Sequence, residues 1–235
     1  MLNNKVKKLL VTSATTFELV PFMEFLEKEG VKKSFFEYTF NGISIFPLVT
    51  GVGPTFTAFA LSRFNIIKEI DFAVNIGIAG AFNQAVNIGD TFQVDRDCFG
   101  DLGIEEADGS FTDVWDLELM NKKSFPFSNK WIINDSKQKL AANLPTATCL
   151  TVSCVAGTRS TINARTLKYN ADLESMEGAA FAYACKMMQV DYLQIRAVSN
   201  HVEVRNQDNW NIDLAIKNVN AALINSIRSQ GLHIA

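Results

Sequence analysis

Two carboxylates stand where a folded chain would put them to use: Glu18, shortly after the first apolar run, and Glu177, which follows Ser175-Met176 where a helix opens. A carboxylate at such a place can take a proton from water, or accept hydrogen bonds from two neighbouring hydroxyls through its two oxygens. Each also has a plainer reading, because an acid in the first turn of a helix is stabilised by the macrodipole by about 0.3–1 kcal/mol. Glu174 is close enough in sequence to compete with Glu177 for its role. Other chemistries lack their parts. A serine nucleophile would need His201 as its base, since His233 is the other histidine and lies in the tail, and no Gly-x-Ser-x-Gly elbow occurs. Cys98, Cys149, Cys154 and Cys185 form no Cys-x-x-Cys pair and have no histidine cluster beside them. Metal-site spacing is therefore absent, and neither a metal nor an organic cofactor is expected.

Such side chains need elements to hold them. Lys7 to Ser13 reads as a short buried strand that turns at Ala14-Thr15-Thr16. Residues 18–28 then carry a helical apolar stripe (Leu19, Phe22, Met23, Phe25, Leu26) stopped by Gly30. Asn41-Gly42 between the apolar runs 35–40 and 43–50 is a hairpin signal. Gly51-Val52-Gly53-Pro54 leads into a helix near 55–67, and residues 71–78 form a strand ending in the small-residue turn Gly77-Ile78-Ala79-Gly80-Ala81. Further strands are expected over 91–98, 146–155 and 192–199, and helices over 177–188 and 212–227. Residues 100–130, acidic and aromatic, read as a long excursion. Strands alternating with helices predict an α/β layer architecture in one domain, 1–235. Ligands gather at the carboxyl ends of strands in such sheets. The places to look are Thr12–Glu18, Thr50–Gly53, Gly77–Gly80 and Ser199–Glu203, with Ser175-Met176-Glu177 as a fifth.

Composition narrows the partners. Of 235 residues, 48% are hydrophobic and 20% charged, an ordinary globular balance that can bury a core without disulfide staples. A net charge of −3 argues against a nucleic-acid partner, which needs a basic stripe. The polar, basic start is no secretory signal, and no stretch approaches the roughly 20 apolar residues of a membrane span. A reduced, cytoplasmic protein is expected.

Glu174-Ser175-Met176-Glu177-Gly178-Ala179-Ala180 resembles the Met-Glu-x-x-Ala helix start of nucleoside phosphorylases and nucleosidases. Val74-Asn75-Ile76-Gly77-Ile78-Ala79-Gly80 is similar to the glycine turn of that superfamily. Ile195-Arg196-Ala197-Val198-Ser199-Asn200 stands where related hydrolases carry Arg-Ala-Ile-Ser-Asp. Order and spacing match, as does Glu18 after the first strand. The resemblance to the purine nucleoside phosphorylase-like superfamily runs from Leu9 to Ile227 and is poorest over 100–145. Within it, Ser199-Asn200-His201-Val202-Glu203-Val204-Arg205 with Trp210 resembles the Ser-Asn-x-Val-Glu-x-Arg…Trp stretch of the futalosine hydrolases.

The resemblance implies a three-layer phosphorylase/hydrolase-like fold, a central mixed twisted sheet flanked by helices. It makes Glu18 the general base, Met176 the apolar platform under a ribose, and Glu177 the acceptor from its 2′- and 3′-hydroxyls. Gly77 and Gly80 let the backbone approach the ligand, with Ala79 between, and Ile78 gives an apolar floor where relatives often have Ser or Thr. Phosphorylases place an arginine where this chain has Asn75, and phosphate needs such cationic donors. Water is then the expected nucleophile, although Asn75 also suits a buried turn. Asn200 replaces the aspartic acid with which adenine-cleaving nucleosidases protonate the purine. An amide can only hydrogen-bond, which suits a 6-oxopurine such as hypoxanthine, unless Asn200 merely forms a strand-end turn. Arg205 either meets a benzoate on the 5′ extension of futalosine or pairs with Glu203. Trp210, and the aromatics around Phe111 and Trp115, either cover that extension or serve core and subunit contacts. The implied activity is hydrolysis of the N-glycosidic bond of futalosine, for menaquinone biosynthesis, by a homo-oligomer acting on a small purine nucleoside. The alternatives are a methylthioadenosine, S-adenosylhomocysteine or aminodeoxyfutalosine nucleosidase, a phosphorylase, or a non-catalytic nucleoside-binding protein on the same fold.

Overall fold

Residues 6–64, 67–136 and 144–229 are described in the computed structural model of the chain. His233 and Met1–Lys5, the first part of the basic start, lie outside the described residues. The elements run β1 (Lys8–Ser13), α1 (Thr16–Glu29), β2 (Val31–Lys32), β3 (Tyr38–Phe40), β4 (Ile43–Val49), α2 (Pro54–Arg63), β5 (Phe72–Ala81) and β6 (Thr91–Phe99). Four short strands come next: β7 (Gly103–Glu105), β8 (Phe111–Asp113), β9 (Phe127–Ser128) and β10 (Trp131–Ile133). The chain then forms β11 (Thr146–Thr151), α3 (Arg159–Tyr169), β12 (Leu173–Ser175), α4 (Gly178–Met188), β13 (Asp191–His201) and α5 (Ile212–Arg228).

β1 lies between two parallel neighbours, β4 and β5, and its interior residues are buried on both faces, as apolar strands in parallel sheets are. The sheet order is β2-β3-β4-β1-β5-β12-β11-β6-β10-β9. β13 pairs with β5 in parallel and with β6 antiparallel, so the pairings β5-β12-β11-β6-β13 return to β5 and close a ring. Helices cover both sides of the sheet. Leu19 and Phe22 of α1 and Val219 and Leu223 of α5 pack on Val11, Val74 and Ile195. On the other face, Leu61 of α2 and Phe181 and Ala182 of α4 meet Leu10 and Ala73. The result is the mixed, helix-flanked α/β sheet expected from the sequence.

Asn41 and Gly42 both take positive φ, 50° and 80°, as a two-residue hairpin turn demands. β3 nevertheless starts only at Tyr38, leaving Phe35 and Phe36 exposed. One expectation needs correction. Gly77–Ala81 is not a turn: β5 continues through it, because β13 and β12 supply hydrogen-bonding partners on both sides. The polar stretch after Gly157 is a helix, α3, started by the Thr158 hydroxyl, which accepts from the Thr161 N–H. Its polar sequence buries only Tyr169, so no apolar stripe announced it. No described helix is long and apolar enough to cross a membrane.

Candidate active site

A cavity of about 520 Å³ opens at the carboxyl ends of β1, β5 and β13 and beside the start of α4. Of the twelve residues singled out by sequence, ten line it; Asn75 and Gly77 do not.

Glu18 is the third residue of α1 and closes a capping box. The Thr15 hydroxyl accepts from the Glu18 N–H, and the Glu18 carboxylate accepts from the Thr15 N–H. The Thr15 hydroxyl also donates to Glu18 Oε2 at 2.9 Å, and the Ile78 N–H reaches Oε1 at 3.3 Å. The two readings of this acid therefore coincide: it caps its helix and lines the cavity with the same carboxylate. Gly77 stands behind it. A Cβ there would lie 3.2 Å from Glu18 Oε1, so the absence of a side chain leaves that carboxylate its place.

Glu177 is the residue before α4 and makes no side-chain cap. Its carboxylate turns into the cavity instead, where Oε1 accepts from the Gly53 N–H at 3.0 Å. Gly53 sits at φ 93°, ψ 165°, a conformation essentially reserved for glycine, just before Pro54 opens α2. Burial pushes the Glu177 carboxyl above the ordinary carboxylate range; the Arg196 charge and the Gly53 N–H oppose that shift. Met176 and Ser175 border the same wall. Glu174 lines the cavity too, but its carboxylate is consumed by Arg165 at 2.6 Å and by the Ala156 N–H at 2.8 Å. Glu177 is the carboxylate left available.

Asn200 owes its place to a bulge. The β13–β5 register slips between Val198 and Asn200, which sets Asn200 opposite Gly80. Its Oδ1 accepts from the Ser199 hydroxyl at 2.8 Å and its Nδ2 donates to the His201 carbonyl at 2.9 Å. A Cβ on Gly80 would come within 3.2 Å of that Nδ2, so the glycine permits the close approach. Ala79 and Ile78 complete this side.

Asn75 takes the buried one of its two readings, within a strand and not a turn. It is buried beneath the cavity, donating to the Thr12 side chain at 3.0 Å and accepting from Arg196 through Oδ1. Sequence reasoning missed Arg196. Fully buried on β13, its guanidinium donates to the backbone carbonyls of Asn75 and Ile195 and lies 3.6 Å from where a Cβ on Gly77 would stand. One buried cation thus sits behind two cavity carboxylates. The signal was present: an arginine inside an otherwise buried strand must be paired with something.

Arg205 does not pair with Glu203, which accepts instead from Asn209 at 2.8 Å. Its guanidinium lies over the Trp210 ring, 5.3 Å from the centroid, at the cavity margin. Phe17, Val52 and Ile212 add apolar surface to that margin, and the Asp213 side chain lines it as well. Phe111 and Trp115 are elsewhere: Trp115 is buried against Phe127, and Phe111 borders a separate cavity beside α3.

The model of the family described as the phosphorylase superfamily matches residues 8–228. The chain belongs to the phosphorylase superfamily. Within it, the sequence is 29% identical over 229 residues to a futalosine hydrolase of Thermus thermophilus, covering 94% of this chain and 96% of that one. It is 32% identical over 175 residues to a futalosine hydrolase of Streptomyces coelicolor, 72% of each chain. Among solved structures, the 5′-methylthioadenosine/S-adenosylhomocysteine nucleosidase of Neisseria meningitidis, in complex with methylthio-immucillin-A, superposes with a TM-score of 0.77. That match is 17% identical and covers 95% of this chain and 100% of the other. This superfamily member is an N-glycosyl hydrolase of the nucleosidase type.

Proposed function

We propose that the chain hydrolyses futalosine, releasing hypoxanthine and the dehypoxanthinyl ribose product, a step of menaquinone biosynthesis. The observation that carries the reading is the gathering of two buried carboxylates, Glu18 and Glu177, and an amide, Asn200, around one cavity. The names of the two curated relatives point the same way. Glu177 accepts from the 2′- and 3′-hydroxyls of the ribose, and Met176 lies against the sugar face. The C1′–N9 bond breaks with its electron pair leaving on the purine, and the oxocarbenium charge that develops is stabilised by the neighbouring carboxylates. Glu18 takes a proton from water as the water oxygen bonds to C1′. Asn200 hydrogen-bonds the departing base; the proton that neutralises it comes from solvent, since an amide has none to deliver.

Phosphate is disfavoured as nucleophile. The Arg196 charge acts on the Glu177 carboxylate on the cavity side and is held by the acceptors of Asn75 beneath. At the margin, Arg205 is free of acidic partners among the described residues and is placed to meet the benzoate of the 5′ extension, with Trp210 covering its ring. Purified protein should release hypoxanthine from futalosine in phosphate-free buffer, and faster than it releases adenine from methylthioadenosine. A preference for methylthioadenosine would overturn the Asn200 assignment; a requirement for phosphate would overturn hydrolysis.

A further inference from the structure

Helix α4 begins at the residue after Glu177, and this creates a conflict. The first N–H groups of a helix need acceptors, and the residue before them normally supplies one from a short polar side chain. Glu177 supplies none, because its carboxylate faces the cavity and is engaged by Gly53. The acceptor comes from another element. Thr151, fully buried at the end of β11 and opposite Ser175 in register, accepts from the Ala179 N–H at 2.7 Å through its hydroxyl oxygen.

That contact fixes the direction of the next one. The Thr151 oxygen receives the Ala179 N–H, so its own proton is directed to Asp97 Oδ1, 2.8 Å away on β6. The Cys98 N–H holds the same Oδ1 at 2.8 Å. Asp97 is fully buried, and its other oxygen, Oδ2, has no hydrogen-bond partner among the described residues; nor does Oε1 of the buried Gln194. Both orphan oxygens crowd the position where a Cβ on Gly178 would stand, so a side chain at the first residue of α4 would strike them. A buried aspartate and glutamine packed this tightly under a helix start are costly unless they do something.

We infer that Thr151 and Asp97 are positioning residues for the sugar-binding carboxylate. Thr151 caps α4 from outside the helix, Asp97 orients the Thr151 hydroxyl for that task, and Glu177 is thereby released from capping to face the ribose. The inference rests on the reading of Glu177 as the ribose ligand.

The test uses full-length protein carrying E18Q, expected to slow cleavage by about 100-fold or more, with inosine and hypoxanthine as calorimetric probes. Against that parent, E177Q is expected to weaken inosine at least tenfold and to leave hypoxanthine, which has no ribose, within twofold. T151V, which keeps the shape and removes the hydroxyl, should give the same selective loss, and T151S should restore inosine affinity to within threefold. Unchanged inosine binding in T151V, or equal weakening of both probes, overturns the positioning role while leaving the reading of Glu177 intact. An E177Q protein that binds inosine like the parent overturns that reading, and the inference with it. If T151V is not folded by circular dichroism, D97A replaces it. It strips the Thr151 hydroxyl of its acceptor and should weaken inosine alone; no selective loss there also overturns the inference.

Discussion

Glu18 holds its carboxylate on three donors, the Thr15 N–H, the Thr15 hydroxyl and the Ile78 N–H, and still lines the cavity. E18Q is expected to lower kcat by about 100-fold or more, the usual scale for losing a general base, with nucleoside affinity retained. Single-turnover rates and calorimetry separate the two effects. Glu177 gives a pH signature. Its carboxyl is raised above 4.5, chiefly by burial, and in the proposed role it offers both oxygens as acceptors to the diol only when ionised. The acid limb of the kcat/KM profile is accordingly expected above the ordinary glutamate value, with activity lost as pH falls through it. A limb at or below 4.5 would contradict the assignment. At Asn200, N200D restores a group that can carry a proton, and the Ser199 hydroxyl is already in place to hold it. Its expected effect is a shift of the hypoxanthine-to-adenine product ratio toward adenine when inosine- and adenosine-type substrates compete.

At the scale of elements, the start of α4 is built against the closed ring of strands with no room to spare. G178A is expected to destabilise the protein by about 1–3 kcal/mol, the usual cost of forcing extra atoms into a packed interior, read as a lower midpoint in urea. Asp97 gives that region a pH dependence. Burial raises its carboxyl from 3.8 to about 6, opposed by the Thr151 hydrogen bond and the Arg196 charge, with the thiols of Cys98 and Cys149 also close by. The folded chain therefore binds more protons than the unfolded one between those values. From this group, stability is greatest at acid pH and falls by about 3 kcal/mol as pH rises through that window. Urea titrations at pH 4, 5 and 7 should show the decline in wild type, and D97N should flatten it.

Over the whole molecule, large apolar side chains are exposed outside the cavity as well. Phe56 and Phe59, one turn apart on α2, are 62% and 60% exposed. The homo-oligomer expected from the family resemblance would cover them. Light scattering after gel filtration should give a mass above 26.1 kDa, and F56D/F59D should lower it toward that value. A monomeric wild type at micromolar concentration would overturn this expectation.

Much of this architecture was legible in the residues. The apolar runs of β1, β5 and β13, the stripe of α1 and the Asn41-Gly42 turn depend on periodicity and local backbone preference, which the chain carries within a few neighbours. Glu18, Glu177 and Asn200 stood out because each sits where a strand gives way to a loop or a helix, and the family resemblance implied their roles; one cavity gathers all three. Three things were decided only in three dimensions. β13 pairs with both β5 and β6, and that closure converts the presumed Gly77–Ala81 turn into strand. Asn75 serves Arg196 rather than the cavity because they stand 121 residues apart in sequence and side by side in the sheet. Thr151 caps a helix that starts 27 residues after it. Hydrogen-bond partners of buried polar groups come from wherever the sheet brings the chain together, and no local pattern encodes that.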